Sequence, residues 1–183
     1  MEKNSMDALN RLSVAAFRET EKLPLVLVLD NVRSGLNVGS VFRTADAFAV
    51  ERVILCGITA QPPHREILKT ALGSTESVTW SHEADAAEAV RALKAAGYRV
   101  YAVEQATPHL WLQDFEPVSG VKYAFVLGNE VEGVANTVLQ ACDGAIEIPQ
   151  FGTKHSLNIA VAAGIATWEA ARKMLALDLP AAS

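Results

Sequence analysis

The 183-residue chain has only two cysteines, Cys56 and Cys142, far apart and without the close spacing of metal ligands. That excludes a disulfide framework and suggests no zinc site, so both read as small buried hydrophobes. Long apolar runs are lacking too. The longest, Leu23 to Leu29, is far short of the ~20 residues that cross a bilayer, and Glu2 and Lys3 at the N-terminus have no apolar run behind them. A soluble, untargeted, cytoplasmic protein with neither membrane nor metal among its partners is expected. Positive charge is also in short supply, with 16 Lys and Arg against 21 Asp and Glu for a net charge of −5. Phosphate contacts dominate nucleic-acid affinity and favour basic surfaces, so that balance counts against an RNA partner unless the cations gather locally. The chain has no G-x-G-x-x-G, G-x-x-x-x-G-K-[ST], G-x-S-x-G or H-E-x-x-H. Dinucleotide, P-loop, hydrolase and zincin chemistry lose support accordingly.

What is present is ample core material, 50% hydrophobic against 20% charged. Short β-rich runs at Leu25–Leu29, Arg52–Cys56, Arg99–Val103, Tyr123–Leu127 and Ala145–Ile148 alternate with helical patterns, and Ser77–Trp80 is a weaker strand candidate. Val38, Val41, Phe42, Ala45 and Phe48 recur at helical spacing, as do Ala86, Ala89, Val90, Leu93 and Ala96, after which Gly97 stops the helix. This alternation predicts an α/β fold, a mostly parallel sheet flanked by helices. Met6 to Phe17 reads as a solvated capping helix, with Arg11 and Arg18 near one face. Leu157, Ala160, Val161, Gly164, Ile165, Trp168 and Ala171 make an apolar stripe that suits a core or dimer helix. There is no repeat or low-complexity tract, and Ala106–Gly120 is the only extended irregular piece, so residues 1–183 are expected to form one domain.

The segments richest in Gly and Asn follow strands directly: Asp30–Gly39, Gly128–Gly133 and Pro149–Ser156. In a parallel sheet all three lie at the carboxyl edge, where open α/β sheets hold their ligands. Acidic residues gather at Glu83, Asp85 and Glu88, whereas Arg33, Arg43, Arg65, Lys69, Lys154 and His155 fall in or beside segments that follow strands or open helices. A local basic site is therefore compatible with the negative total.

Residues Asn31 to Asp46, with Asn37 and Arg43 six apart at the opening of a helix, resemble the first motif of the SpoU/TrmH family of the SPOUT superfamily. Leu127-Gly128-Asn129-Glu130-Val-Glu-Gly133 is similar to the second motif, and Ile148-Pro149 followed by Ser156-Leu157-Asn158 to the third. Lys69 to Glu76 adds support, so the resemblance covers residues 24–172 and leaves 1–22 as an N-terminal helical extension. It implies a C-terminal deep trefoil knot, S-adenosylmethionine as cofactor, and transfer of its methyl group to a ribose 2′-hydroxyl of tRNA or rRNA.

The resemblance also implies roles. Leu127, Gly128, Asn129, Gly133, Ile148 and Leu157 would hold the cofactor, and Glu104, at a strand end, would reach its ribose. Arg43 would be catalytic with Asn37, Glu130, Ser156 and Asn158. A guanidinium is a poor proton acceptor, so phosphate clamping and orientation are physically easier roles for Arg43 than general-base work. An ion pair with Asp46, three residues on, is the competing reading. Asn37 is expected to cap the helix that carries Arg43, Glu130 to orient Arg43 or Asn37, and Ser156 and Asn158 to open the last helix and receive the cofactor carboxylate or an RNA phosphate, with simple capping by Ser156 the competing reading. Arg33, Arg65, Lys69 and Lys154 are candidate phosphate contacts without base specificity, while His64 and His155 carry no assignment. The resemblance further implies a homodimer through the knot region and the C-terminal helix, anchored by Trp168 and widening the RNA-binding surface. Three alternatives stand beside it: an inactive RNA-binding relative, a base-nitrogen methyltransferase of the superfamily, and an α/β enzyme acting on a small molecule.

Overall fold

The computed structural model describes residues 12–175. Helix α1 (Val14–Glu19) leads into β1 (Leu23–Asp30), α2 (Gly35–Ala47), β2 (Val50–Cys56), α3 (Arg65–Ala71), α4 (Ser74–Ser77) and β3 (Trp80–Glu83). Then come α5 (Ala86–Ala95), β4 (Tyr98–Val103), β5 (Leu110–Trp111), β6 (Lys122–Leu127), α6 (Asn136–Ala141), β7 (Gly144–Glu147) and α7 (Ile159–Met174). The strands form one sheet in the order β3-β2-β1-β6-β4-β7-β5, and every pairing among the described residues is parallel.

Why the apolar run at β1 is continuous follows from its place near the middle of the sheet. Successive strand side chains point to opposite faces, so a strand covered on both sides must be apolar at every position. Leu25, Leu27 and Leu29 enter one core with Phe42, Ile67, Phe125 and Ala163, beneath α2, α3 and α7. Val26 and Val28 enter the other with Val90, Leu93 and Val138, beneath α5 and α6. The aromatic side chains concentrate in the first core, where Phe115 sits edge-on to both Tyr123 and Phe125.

Four expectations are revised. The weak strand candidate Ser77–Trp80 is displaced: Ser74–Ser77 is a helical turn, and β3 begins at Trp80, which pairs with Val53. Ser77 is kept in that turn by its hydroxyl, which donates to the Ser74 carbonyl and to Asp46. The irregular piece Ala106–Gly120 contains β5 and a 3-10 turn at Leu112–Asp114. The expected N-terminal helix is seen as Val14–Glu19, capped by Ser13, and its share before residue 12 lies outside the described residues. On α7 the core face is Ile159, Ala163, Ala166, Thr167, Ala170 and Ala171, the last a member of the expected stripe, while Val161, Ile165 and Trp168 of that stripe, and Leu157 just before the helix, stay outward. Small residues make up that face, which lets α7 lie close against α2.

Candidate active site

The carboxyl ends of β1, β6, β4 and β7 bring the Gly- and Asn-rich loops together, and the first two loops are tied to each other. Asp30, buried at the end of β1, accepts the Ala135 N–H (3.0 Å) and the amide of Asn31 (2.8 Å). Asn129 donates to the Asn31 carbonyl (2.8 Å), and its own oxygen accepts from the Val131 N–H (2.8 Å). The loop after β6 therefore folds back on itself and is fixed against the loop after β1.

Its turn depends on two glycines. Gly133 has φ +70°, a region that β-carbons disfavour, and a β-carbon there would meet the Glu104 carboxylate. A β-carbon on Gly128 would overlap the peptide joining Gly133 to Val134. Two backbone segments thus cross at contact distance, and Glu104 braces them by accepting the Val134 and Gln105 N–H groups, each at 2.9 Å.

The loops after β4, β6 and β7 wall a cleft of about 510 Å³, to which the loop after β1 and Asn37 contribute no lining residue. Leu127, Gly128, Asn129, Gly133, Ile148 and Leu157 all line it, as does Glu104. Glu130, Ser156 and Asn158 line it as well. Glu104 is less free than the expectation of a ribose ligand had it, since both its oxygens already hold backbone. Gln150 and His155 are wall residues that carried no expected role.

At the cleft a polar chain joins all three motif segments. Glu130 accepts the N–H groups of Arg33 (3.1 Å) and Ser34 (3.0 Å), together with the side-chain amide of Asn37 (3.0 Å). Asn37 accepts in turn from the Asn158 amide (3.1 Å), and Asn158 caps α7 by accepting the Ala160 N–H (2.9 Å). Partial burial disfavours the Glu130 carboxylate. Hydrogen bonds from Asn37, Arg33 and Ser34 outweigh that and hold its pKa below the usual carboxylate range. It is an anion at a helix N-terminus, where the helix dipole favours it.

The expected cap of α2 is corrected by the same geometry, and the competing reading of Ser156 as the cap of α7 is not met. Ser34, not Asn37, caps α2, its hydroxyl accepting the Asn37 N–H (3.3 Å), so the Asn37 side chain is released to Glu130 and Asn158. Asn158, not Ser156, caps α7, and Ser156 lies exposed before the helix. Glu130 orients Asn37 but is not among the hydrogen-bond or ion-pair partners of Arg43.

Arg43 is exposed on α2 and lies outside the cleft wall, in a shallower groove between α2 and α3 with Ser40, Thr44, Lys69 and Thr70. The competing ion pair with Asp46 does not form, since Asp46 takes the Ser77 hydroxyl instead. Arg33, Arg65 and Lys154 are exposed, and neither they nor Arg43 and Lys69 lie within 4.0 Å of a carboxylate among the described residues. His64 caps α3 by accepting the Glu66 N–H (3.3 Å). Among the described residues no group of three or more His, Cys, Asp or Glu could hold a metal ion, and no helix is long and apolar enough to cross a membrane.

A parallel α/β sheet with a glycine-built cleft at its carboxyl edge, closed by a loop that leads into the last helix, defines a ligand-binding α/β protein. Comparison with known proteins makes this specific: the model of the SpoU rRNA Methylase family matches residues 24–168, and the chain belongs to that family. The 23S rRNA (guanosine-2′-O-)-methyltransferase RlmB of Vibrio cholerae is 34% identical over 154 residues, 84% of this chain and 61% of that protein. The AdoMet-bound rRNA methyltransferase of Sinorhizobium meliloti superposes with TM-score 0.76 at 29% identity, covering 85% of this chain and 59% of that one. The SpoU methyltransferase AviRb of Streptomyces viridochromogenes, in complex with AdoMet, gives 0.74 at 27% identity over 86% and 63%. The chain thus spans about three fifths of the length of the relatives it matches.

Proposed function

We propose that this chain is an S-adenosylmethionine-dependent RNA methyltransferase acting on a ribose 2′-hydroxyl of tRNA or rRNA, and that it threads the trefoil knot of its family. The observation that carries this reading is the chain of hydrogen bonds from Glu130 through Asn37 to Asn158, which ties three sequence-distant motif segments into one polar edge beside the cleft. The cleft suits the cofactor: its volume falls within the roughly 300–1,000 Å³ of small-molecule sites, and the crossing at Gly128 and Gly133 leaves backbone free of side chains. Leu127, Gly128, Asn129, Ile148 and Leu157 would hold the adenosine and methionine parts, with Gly133 and Glu104 fixing the loop around them. Bound there, S-adenosylmethionine supplies an electrophilic methyl group.

The remaining work falls to the chain itself. Asn37 and Asn158, fixed by Glu130 and by the α7 backbone, present polar groups that orient the ribose hydroxyl, and Ser156 offers a hydroxyl at the same wall. Arg43 and Lys69, one on each side of the second groove, are cations without carboxylate partners within 4.0 Å among the described residues, and they clamp phosphates next to the target nucleotide. Arg33, Arg65 and Lys154 extend that backbone contact. The outward stripe Leu157, Val161, Ile165 and Trp168 supports a homodimer through α7. Trp168 packs on Phe48 (ring centres 5.9 Å apart), which borders the Arg43 groove, so a second copy on this stripe brings that groove to the edge of the interface and widens the RNA surface.

The test is transfer of labelled methyl from S-adenosylmethionine to bulk tRNA and, separately, rRNA by wild type and Arg43→Ala, with nuclease mapping of the product. A labelled 2′-O-methylnucleotide that Arg43→Ala reduces at least about 100-fold supports the reading. Cofactor binding by calorimetry without transfer to either pool would overturn it.

A further inference from the structure

The loop between β7 and α7 lines the cleft through Gln150, His155, Ser156, Leu157 and Asn158, and its outer turn carries Phe151, which is 98% exposed. Isolated exposed apolar residues are ordinary, but this one differs in kind and setting. It is an aromatic ring with almost no contact to its own fold, on a loop whose next side chains include Lys154 and His155, both exposed. The loop after β6, which also lines the cleft, presents Val131 at 81% exposure. An aromatic face beside a cation with no carboxylate partner, here Lys154, is how proteins receive an unstacked nucleobase and its phosphate.

Covalent structure decides which base. In a nucleotide the base hangs from the carbon next to the one that bears the 2′-hydroxyl, so when that hydroxyl enters the cleft the base must lie at the cleft's mouth. Resting on the methyltransferase reading above, we propose that Phe151 is the stacking platform for the base of the target nucleotide, with Lys154 holding the adjoining phosphate. Phe151 thus contributes to selecting a splayed, single-stranded nucleotide over a paired one.

The exposure that motivates the proposal also makes it testable, since a side chain that touches nothing can be replaced without harm to the fold. The experiment measures kcat/KM for methyl transfer to whichever RNA pool wild type methylates, using the full chain and Phe151→Ala, Phe151→Leu and Phe151→Trp. Calorimetric S-adenosylmethionine affinity and sedimentation are measured alongside. Alanine and leucine should each lower kcat/KM about tenfold, tryptophan should restore it, and cofactor affinity and assembly state should not change. Leucine as active as wild type would show a plain apolar contact, and alanine as active as wild type no contact; either overturns the proposal. Dissociation of a dimer by Phe151→Ala would assign the ring to a second copy instead and overturns it too. If wild type methylates no RNA, the function reading fails and this inference with it; if wild type methylates and Phe151→Ala matches it, only the inference fails.

Discussion

Replacing Glu130 by Gln tests whether the carboxylate organises the start of α2. In the native fold its two oxygens accept three hydrogens, from the Arg33 and Ser34 backbone and the Asn37 amide. Glutamine keeps one acceptor oxygen and loses the charge, so at least one backbone N–H at the helix start turns to water, and the favourable charge–dipole contact goes. A hydrogen bond to a charged group contributes about 1.5–3 kcal/mol when buried; with the carboxylate largely exposed, about 1 kcal/mol is the reasonable figure, and the dipole adds roughly 0.3–1 kcal/mol. The expected loss of about 1–2 kcal/mol at pH 7 corresponds to a fall in Tm of about 4 °C for a chain of this size. The pH dependence follows from the lowered pKa of Glu130. The unfolded chain then binds more protons than the folded one in the acid range, so the contribution is present above the unfolded value near ~4.3 and is lost as pH falls through the folded value. Protonated Glu130 resembles Gln in shape and charge. Urea denaturation of both proteins from pH 3 to 7 should therefore show a gap in stability at neutral pH that closes in acid. Equal stability at pH 7, or a gap undiminished at pH 3, would refute the assignment.

Gly128→Ala forces a β-carbon into the Gly133–Val134 peptide, so it should destabilise by about 1–3 kcal/mol and weaken S-adenosylmethionine binding at least tenfold by calorimetry, on the order of 1.4 kcal/mol. Asn158→Ala removes the cap of α7 and the amide that donates to Asn37; a stability loss of about 1 kcal/mol is expected in denaturant, with methyl transfer falling further than stability alone explains. Thr167, fully buried with its hydroxyl unpartnered among the described residues, should tolerate Val with a gain of roughly 1 kcal/mol, read as a higher denaturation midpoint at unchanged slope.

How much of this was legible in sequence depends on the range of the interaction involved. Strands β1 and β6 are readable because burial on both faces imposes an unbroken apolar run, as in Leu25–Leu29, and β4 because its burial alternates along the strand. Strand β5 is two residues long and defined only by its pairing of Leu110 and Trp111 with β7, a contact no local pattern encodes. The caps mislead for a similar reason. Ser34 and Asn37 are both favoured cap residues, and only the tertiary partners of Asn37, Glu130 and Asn158, decide which side chain serves the helix. Those partners are 93 and 121 residues away. Motif order and strand-end position placed the cofactor candidates at one edge, and they do share one cleft. The position of Arg43 in a second groove could not be read that way. It is set by the helical rotation of six residues from Asn37 and by how α2 packs on α3.

The negative net charge is not removed by ion pairing, because each pair is neutral, but pairing decides which cations remain free to act locally. Lys94 is occupied by Asp143, Arg91 by Glu88, Lys122 by Glu51, and Arg172 and Lys173 by Glu169, so these cations are locally compensated. Arg33, Arg43, Arg65, Lys69 and Lys154 have no carboxylate within 4.0 Å among the described residues, and they belong to α2, α3 and the loops that open or follow the cleft walls. An encountering polyanion responds to the field within about a Debye length, roughly 8–10 Å at physiological salt, not to the sum over the chain. Self-neutralised pairs contribute little at that range, while unpaired cations contribute fully. On the RNA reading proposed above, Arg43 and Lys69 would draw a phosphate to the second groove, while Glu130 and Glu132 in the cleft wall would keep the RNA backbone itself out of the cleft.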